Sequence, residues 1–316
     1  MKYYVISILL IITFRSFGQR SNDNLPTPPN CVWLRDSLFI DKTEITNIDW
    51  LEYLHYLRTD SSIVQYKQAL PDTNVWLATN DTLKWKHYRR DSTYRFHPVV
   101  GITKNQAENY CRWWSEMVNV RVNDPEFRKK FMNGNNAKLS FAFRLPTEEE
   151  WIFAAMGGLD LSIYPFGFTD YLQKVSLIDD WKFYYDKMPF KNINEDDFES
   201  LFKDFRRKGK ESFFNCLLPF GILFNYGVLA PLSTQRSQIV DKYNLIYGYQ
   251  SVFKPNAYGI YDMIGNVSEM VAESGISKGG SWADYLEDSK LIKQQKYTKP
   301  TSWLGFRCAC EIISKN

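Results

Sequence analysis

Two threonines, Thr103 and Thr147, are each followed three positions later by an amide or carboxylate side chain, Gln106 and Glu150, just ahead of an apolar pattern of helical period. That spacing is a capping box: the threonine takes the amide of the third helical residue, whose side chain reaches back to the capping amide. It fixes where two helices begin. Beyond Thr103, the residues Ala107, Tyr110, Cys111, Trp114 and Val118 recur on one face, which turns Cys111 toward the core. Beyond Thr147, Trp151, Ala154 and Ala155 face inward and Gly157-Gly158 stops the helix. Another helix precedes these two. It follows a strand-like run of Leu38, Phe39 and Ile40, has Asn47 as its expected N-cap, and places Trp50, Leu54 and Leu57 at i, i+4 and i+7.

Between the helices the chain is irregular. Thr59 to Phe96 is polar and turn-rich, punctuated by Leu70-Pro-Asp-Thr73 and by Trp76 and Trp85, and reads as an ordered loop region. The C-terminal third consists of glycine-rich turns and short strands over 256–273, 278–282 and 304–310. Aromatics make up 16% of the residues, so core and grooves are aromatic-rich rather than aliphatic.

Phe168 to Phe224 mixes acids, bases and aromatics. Phe198, Leu201, Phe202 and Phe205 form an amphipathic stripe that can cover the host domain, with Asn194 as cap and Gly209 as stop. Trp181, Phe183, Tyr184, Tyr185, Phe190, Phe213 and Phe214 are more than one helix can bury. Exposed aromatics in that number mark a binding patch, for which Trp181, Tyr184, Tyr185 and Phe190 are the candidate partner contacts.

The first 18 residues read as an export signal: Lys2, the apolar stretch Val5 to Phe14, and small residues Ser16 and Gly18 before a cut at Gln19. A stretch of ten residues falls short of the roughly 20 that a spanning helix needs, so no transmembrane segment is expected in the mature chain. Cleavage removes Lys2 and Arg15 and no acid, which lowers the net charge from +3 to +1. A near-neutral surface gives no electrostatic case for nucleic-acid binding. Export makes a disulfide the default fate of a well-placed cysteine pair. The five cysteines, Cys31, Cys111, Cys216, Cys308 and Cys310, leave at least one unpaired. Cys308 and Cys310 share a face of any regular strand.

Eight motifs then occur in a fixed order: Asp41-x-Thr-Glu-Ile-Thr-Asn47, Pro98-Val-Val-Gly101, Tyr110-Cys-x-Trp113, Arg144-Leu-Pro-Thr-Glu-x-Glu-Trp151, Tyr164-Pro-Phe-Gly167, Asn256-x-Tyr-Gly-Ile-Tyr-Asp-Met-x-Gly-Asn266, Gly279-Gly-Ser-Trp282 and Gly305-Phe-Arg-Cys308. This set resembles the formylglycine-generating-enzyme, or sulfatase-modifying-factor, family. The resemblance implies an α+β fold of C-type-lectin-like arrangement, with few helices, short strands and much irregular structure. Residues 19–37 would be an N-terminal extension and 38–316 one domain with an insertion at about 168–224. Leu70-Pro-Asp-Thr73 with Trp76, His97-Pro-Val-Val-Gly101, Lys278-Gly-Gly-Ser-Trp-x-Asp284 and Gly305-Phe-Arg-Cys-Ala309 look, more narrowly, like the gliding-motility and type IX secretion lipoproteins of this fold, regarded as structural members. This sequence departs from them in being short and in having no lipid-attachment cysteine behind its signal.

The family's enzyme uses two cysteines beyond Gly-Gly-Ser to bind copper(I) and oxidise a substrate cysteine. Their places are held here by Asp284 and Ser289. Copper(I) requires soft thiolates, and a carboxylate and a hydroxyl are hard oxygen donors, so no copper is expected. Ser281 of the turn is retained. His55, His87 and His97 show no i, i+4 pairing, and there is no GxSxG, HExxH or phosphate-binding glycine loop.

The resemblance also implies a structural calcium site on Asp262, Glu269 and the carbonyls of Gly265 and Val267, since calcium takes several oxygen ligands. A weaker second site falls on Asn225, Tyr226, Ser251 and Phe253, where the expected carboxylate is Ser251. The family's core disulfide corresponds to Cys111 with Cys308. Closing so long a loop would stabilise by about 4 to 5 kcal/mol on the entropic model.

The expected function is that of a non-catalytic scaffold, exported to the periplasm or cell surface, that binds an envelope protein or cell-surface component, with gliding motility or type IX secretion as its setting. The competing expectation is an enzyme of altered chemistry, oxidoreductase-like or hydrolytic, using Asp284 with Glu287 and Asp288 in the family groove.

Overall fold

The computed structural model describes residues 26–79, 86–89, 94–131, 138–167, 255–284 and 286–315. The expected signal, the aromatic-rich segment with Trp181, Tyr184, Tyr185 and Phe190, the expected second calcium set and Cys216 lie outside them. Strands β1 (Cys31–Arg35), β2 (Leu38–Asp41), β3 (Lys138–Arg144) and β8 (Ala309–Lys315) form an antiparallel sheet in the order β1-β2-β8-β3. A second sheet, β6-β5-β4-β7, joins β4 (Ser268–Met270), β5 (Ile276–Lys278), β6 (Gln295–Lys296) and β7 (Leu304–Gly305). The helices are α1 (Asn47–Asp60), α2 (Ile63–Gln68), α3 (Lys104–Val122), α4 (Pro125–Phe131) and α5 (Glu148–Met156). No helix among the described residues is long and apolar enough to cross a membrane.

Period-two alternation divides the first sheet between two cores. Phe39, Cys310 and Ile312 face α1 and α3, while Val32, Leu34, Leu38, Ile40 and Ala309 face α5. On the first side the packing is aromatic: Trp50 stacks on Tyr110 at 5.5 Å, and both meet Phe306 edge-on.

The capping boxes at Thr103 and Thr147 start α3 and α5, and Gly157 ends α5 in the left-handed region. For α1 the cap is Thr46 rather than Asn47. Thr46 accepts from the Asp49 amide while Asp49 Oδ2 takes the Thr46 amide at 2.8 Å, and Asn47 instead donates its side chain to the Tyr94 carbonyl at 2.9 Å. The inward tryptophan of α3 is Trp113, packed against Tyr53 and Tyr110, with Trp114 only partly buried. Within the segment expected as loop, α1 runs on to Asp60, α2 follows, and Thr73–Thr79 forms a 3-10 turn. Cys31–Arg35, read as part of an extension, pairs along β2 and buries Cys31, Val32 and Leu34.

The outer edge of β3 is closed by side chains. Ser115 and Asn119 on α3 and Asn123 at its C-cap, one turn apart, meet alternate residues of β3. Asn119 accepts from the Phe141 amide at 2.8 Å and donates to its carbonyl at 2.9 Å. Ser115 accepts from the Phe143 amide at 2.8 Å and Asn123 donates to the Leu139 carbonyl at 3.1 Å.

Candidate functional site

The loop 262–269 carries the strongest concentration of buried charge. It turns through three left-handed residues, Asp262 (φ 54°), Gly265 (φ 77°) and Asn266 (φ 55°). Asparagine and aspartate tolerate this conformation better than most side chains. Backbone bonds tie the loop down from several elements: the Gly265 amide to the Gly279 carbonyl at 3.0 Å, the Trp282 amide to the Asn266 carbonyl at 2.9 Å, and the Ser268 amide to the Trp303 carbonyl at 2.8 Å.

Glu269, on β4, is fully buried opposite an equally buried Arg307. Arg307 Nη2 donates to Glu269 Oε1 and Nε to Oε2, each at 2.6 Å, and Trp151 Nε1 adds a 2.7 Å bond to Oε2. The other guanidinium donors reach the Asp41 and Tyr261 carbonyls. Glu44 and Asp262 complete the group. Burial and the neighbouring Asp262 and Glu269 push the Glu44 carboxyl well above the usual carboxylate range. Burial opposes the Arg307 charge, but Glu269, Glu44 and Asp262 outweigh it and raise its pKa.

Of the four expected calcium ligands, the structure therefore brings Asp262 and Glu269 into one acidic group with the loop peptides between them. Glu269 is chiefly the counter-ion of Arg307. Its Oε2 already receives two donors and its Oε1 one, which leaves acceptor capacity on Oε1 alone. No three His, Cys, Asp or Glu side chains converge at metal-binding distance among the described residues. A cation in this loop would rest largely on carbonyls, as the expected set requires. The carboxylates of Asp262 and Glu269 against one guanidinium leave a surplus of negative charge, and the donors are hard oxygens, so the residues fit calcium.

The Gly279-Gly-Ser-Trp282 turn lies against this loop. Gly279 and Gly280 have φ of 87° and 65°, and a Cβ on Gly280 would stand 1.8 Å from Ser289 Oγ. Ser289 is thus packed directly beneath the turn and fully buried. Asp284 Oδ2 accepts from Ser281 Oγ at 2.6 Å, and Ser281 Oγ accepts the Ala283 amide at 3.1 Å. Burial raises the Asp284 pKa while the Ser281 hydrogen bonds lower it. Asp288 is drawn away to Lys293 at 3.0 Å. Of the expected acidic cluster, Asp284 is thus bonded within the turn and Asp288 is paired with Lys293. His55 and His87 are exposed and His97 is packed edge-on against Tyr88 and Tyr94.

Cys111 on α3 and Cys308 ahead of β8 lie with sulfurs 3.4 Å apart, both buried. Cys310 faces the same core but it is Cys308 that meets Cys111. Asp41 sits beside them, accepting from the Cys308 amide at 2.9 Å and from the Cys31 thiol at 3.4 Å. Burial pushes its carboxyl up to about 7, against the pull of those donors and Arg307. Burial raises the Cys31, Cys308 and Cys310 thiols as well, so none is a ready nucleophile.

Glu44, Asn266, Arg307 and Asp41 were not singled out by sequence reasoning as site residues. A usable signal existed for one of them: Arg307 is a charge inside the apolar stretch Leu304 to Cys310, and such a charge needs a buried partner.

The sulfatase-modifying factor enzyme 1-like domain family matches residues 10–209 and 232–312. The chain is 26% identical over 227 residues to inactive C-alpha-formylglycine-generating enzyme 2 of Bos taurus, covering 67% of this chain and 50% of that protein. It is 22% identical over 326 residues to formylglycine-generating enzyme of Mus musculus, covering 88% and 67%. The chain thus spans about half the length of the first of these relatives. Among solved structures, PvdO from Pseudomonas aeruginosa superposes with a TM-score of 0.44 at 19% identity, over 87% of this chain and 80% of that one. With the family's pattern matched along most of its length, this chain belongs to the sulfatase-modifying factor enzyme 1-like, or formylglycine-generating-enzyme, family.

Proposed function

We propose that this protein is a non-catalytic member of its family, an exported binding or scaffold protein of the cell envelope whose partner is an envelope protein or a cell-surface component. The observation that carries the reading is the chemistry at positions 284 and 289. A carboxylate held by Ser281 and a hydroxyl buried under Gly280 occupy the places of the enzyme's thiol pair. Neither group performs thiol exchange nor supplies a soft ligand. Formylglycine-generating enzyme and inactive C-alpha-formylglycine-generating enzyme 2 both match the chain, so this reading rests on the residues at these two positions.

The scaffold is stiffened, in this reading, by calcium in the 262–269 loop and by a bond between Cys111 and Cys308. Calcium would supply positive charge to the Asp262, Glu269 and Glu44 group. The setting suggested by the narrower motif resemblance is gliding motility or type IX secretion.

The experiment is incubation of the purified protein, with and without copper(I), with a peptide containing Cys-x-Pro-x-Arg, followed by mass spectrometry. No formylglycine above the enzyme-free control is expected. Conversion above that control overturns the non-catalytic reading.

A further inference from the structure

We propose, resting on the calcium reading above, that Glu44 is a positioning residue that sets the 262–269 loop for the ion. Glu44 lies between β2 and α1, 222 positions from Asn266 in sequence, and is fully buried against the loop. Its Oε2 accepts from Asn266 Nδ2 at 2.7 Å and its Oε1 from the Val267 amide at 3.3 Å.

The first bond grips the Asn266 side chain and the second the N–H of the peptide that follows it. The Asn266 carbonyl accepts the Trp282 amide at 2.9 Å on the other side. The peptide joining Asn266 to Val267 is planar, so holding its N–H from one side and its C=O from the other fixes its rotation. It stands between the two residues whose carbonyls are the proposed ligands, Gly265 and Val267. The next peptide is held by the Ser268 amide on the Trp303 carbonyl at 2.8 Å. Asn266 sits at φ 55°, a conformation that persists only where its surroundings impose it. Glu44 is the side chain that grips it.

The test uses the full chain and two probes, calcium by titration calorimetry and terbium(III) by tryptophan-sensitised luminescence, since Trp151 and Trp282 flank the loop. Groups that orient metal ligands typically alter affinity by roughly 10- to 100-fold, and Glu44→Gln is expected to weaken calcium binding within that range. The terbium lifetime, compared in H₂O and D₂O, should report more water on the ion in the variant, a change that lost stability alone would not produce. Near-UV circular dichroism verifies the fold. If Glu44→Gln fails to fold, Asn266→Gly removes the gripped side chain, keeps the left-handed residue and every proposed ligand, and is expected to weaken binding likewise. Unchanged affinity and hydration in a folded variant overturn the role of Glu44 and leave the calcium reading intact. Absence of calcium binding by the wild-type protein overturns both.

Discussion

Asn119 and Phe141 face each other as neighbouring strands would, the side chain of one pairing with both backbone polar atoms of the other at 2.8 and 2.9 Å. Truncation therefore strips an edge residue of two bonds. Asn119→Ala is expected to destabilise by about 1–3 kcal/mol, the usual consequence of leaving such groups unpaired. A reopened strand edge also invites pairing between chains. Urea denaturation should show the loss, and sedimentation velocity should show self-association absent from the wild type. A variant that matches the wild type on both counts would mean that water replaces Asn119 without penalty.

Calcium should raise the melting temperature, because a ligand bound only by the folded state stabilises it by mass action. Asp262→Asn is the informative variant, since Asn keeps the left-handed backbone while removing a proposed ligand. Glu269→Gln would be ambiguous, because Glu269 is also the partner of buried Arg307. The expected result is a calcium-dependent shift in the wild type that is reduced or lost in Asp262→Asn. A melting temperature indifferent to chelator would leave the loop as a turn held by its hydrogen bonds.

Asp41 gives a pH dependence with a definite sign. Its carboxyl is raised from 3.8 to about 7 in the folded protein, so the folded state holds the proton more tightly than the unfolded one. Its stabilising contribution is complete below about pH 4, declines as pH rises, and is gone above about 7. The slope is at most about 1.4 kcal/mol per pH unit. Wild type minus Asp41→Asn, measured by urea midpoints at pH 5 and pH 8, should show the wild type losing more stability toward pH 8. Parallel curves would remove Asp41 as the cause.

Helix starts were the most legible part of the fold, because a capping box is local: Thr103 with Gln106 and Thr147 with Glu150 needed no tertiary contact to interpret. At α1 the same chemistry was present in Thr46 and Asp49, but Asn47 beside it is an equally good cap by composition, and only its bond to the Tyr94 carbonyl shows it to be otherwise engaged. Trp113 and Trp114 are adjacent, and which one turns inward depends on Tyr53 and Tyr110. Strand β1 was hidden because its partner is set by pairing rather than by period. Of the candidate site, Asp262 and Glu269 were reached through the family resemblance, which implies them as calcium ligands. Glu44 was not, since its contact with Asn266 spans 222 positions, and no local pattern encodes such a distance.

For the cysteines the expected outcome is a Cys111–Cys308 bond in protein recovered from an oxidising compartment. Non-reduced peptide mapping should find that pair, and its loss should cost about 4 to 5 kcal/mol on the entropic model. Cys111 recovered free, or joined to Cys310, would refute the pairing.

The aromatic-rich segment can be tested from its sequence. Deleting Asp179 to Lys210 is expected to leave a folded core and to abolish the main envelope partnership carried by Trp181, Tyr184, Tyr185 and Phe190. Crosslinking in the native envelope, compared between the intact and deleted chains, measures this. A deleted chain that keeps the same partner would move the binding surface to the groove near Asp284.

The burial of Cys111 and Cys308 has a consequence in time. Their sulfurs touch across 197 positions of chain, inside a core that leaves them 2% and 0% exposed. An oxidant can reach the pair only before α3 closes over the sheet, or during a rare reopening. The compartment in which folding finishes therefore decides the redox state, and the one in which the protein later works does not. A chain folded under reducing conditions should stay a dithiol after transfer to oxidising buffer, and the finished molecule keeps a record of where it was made.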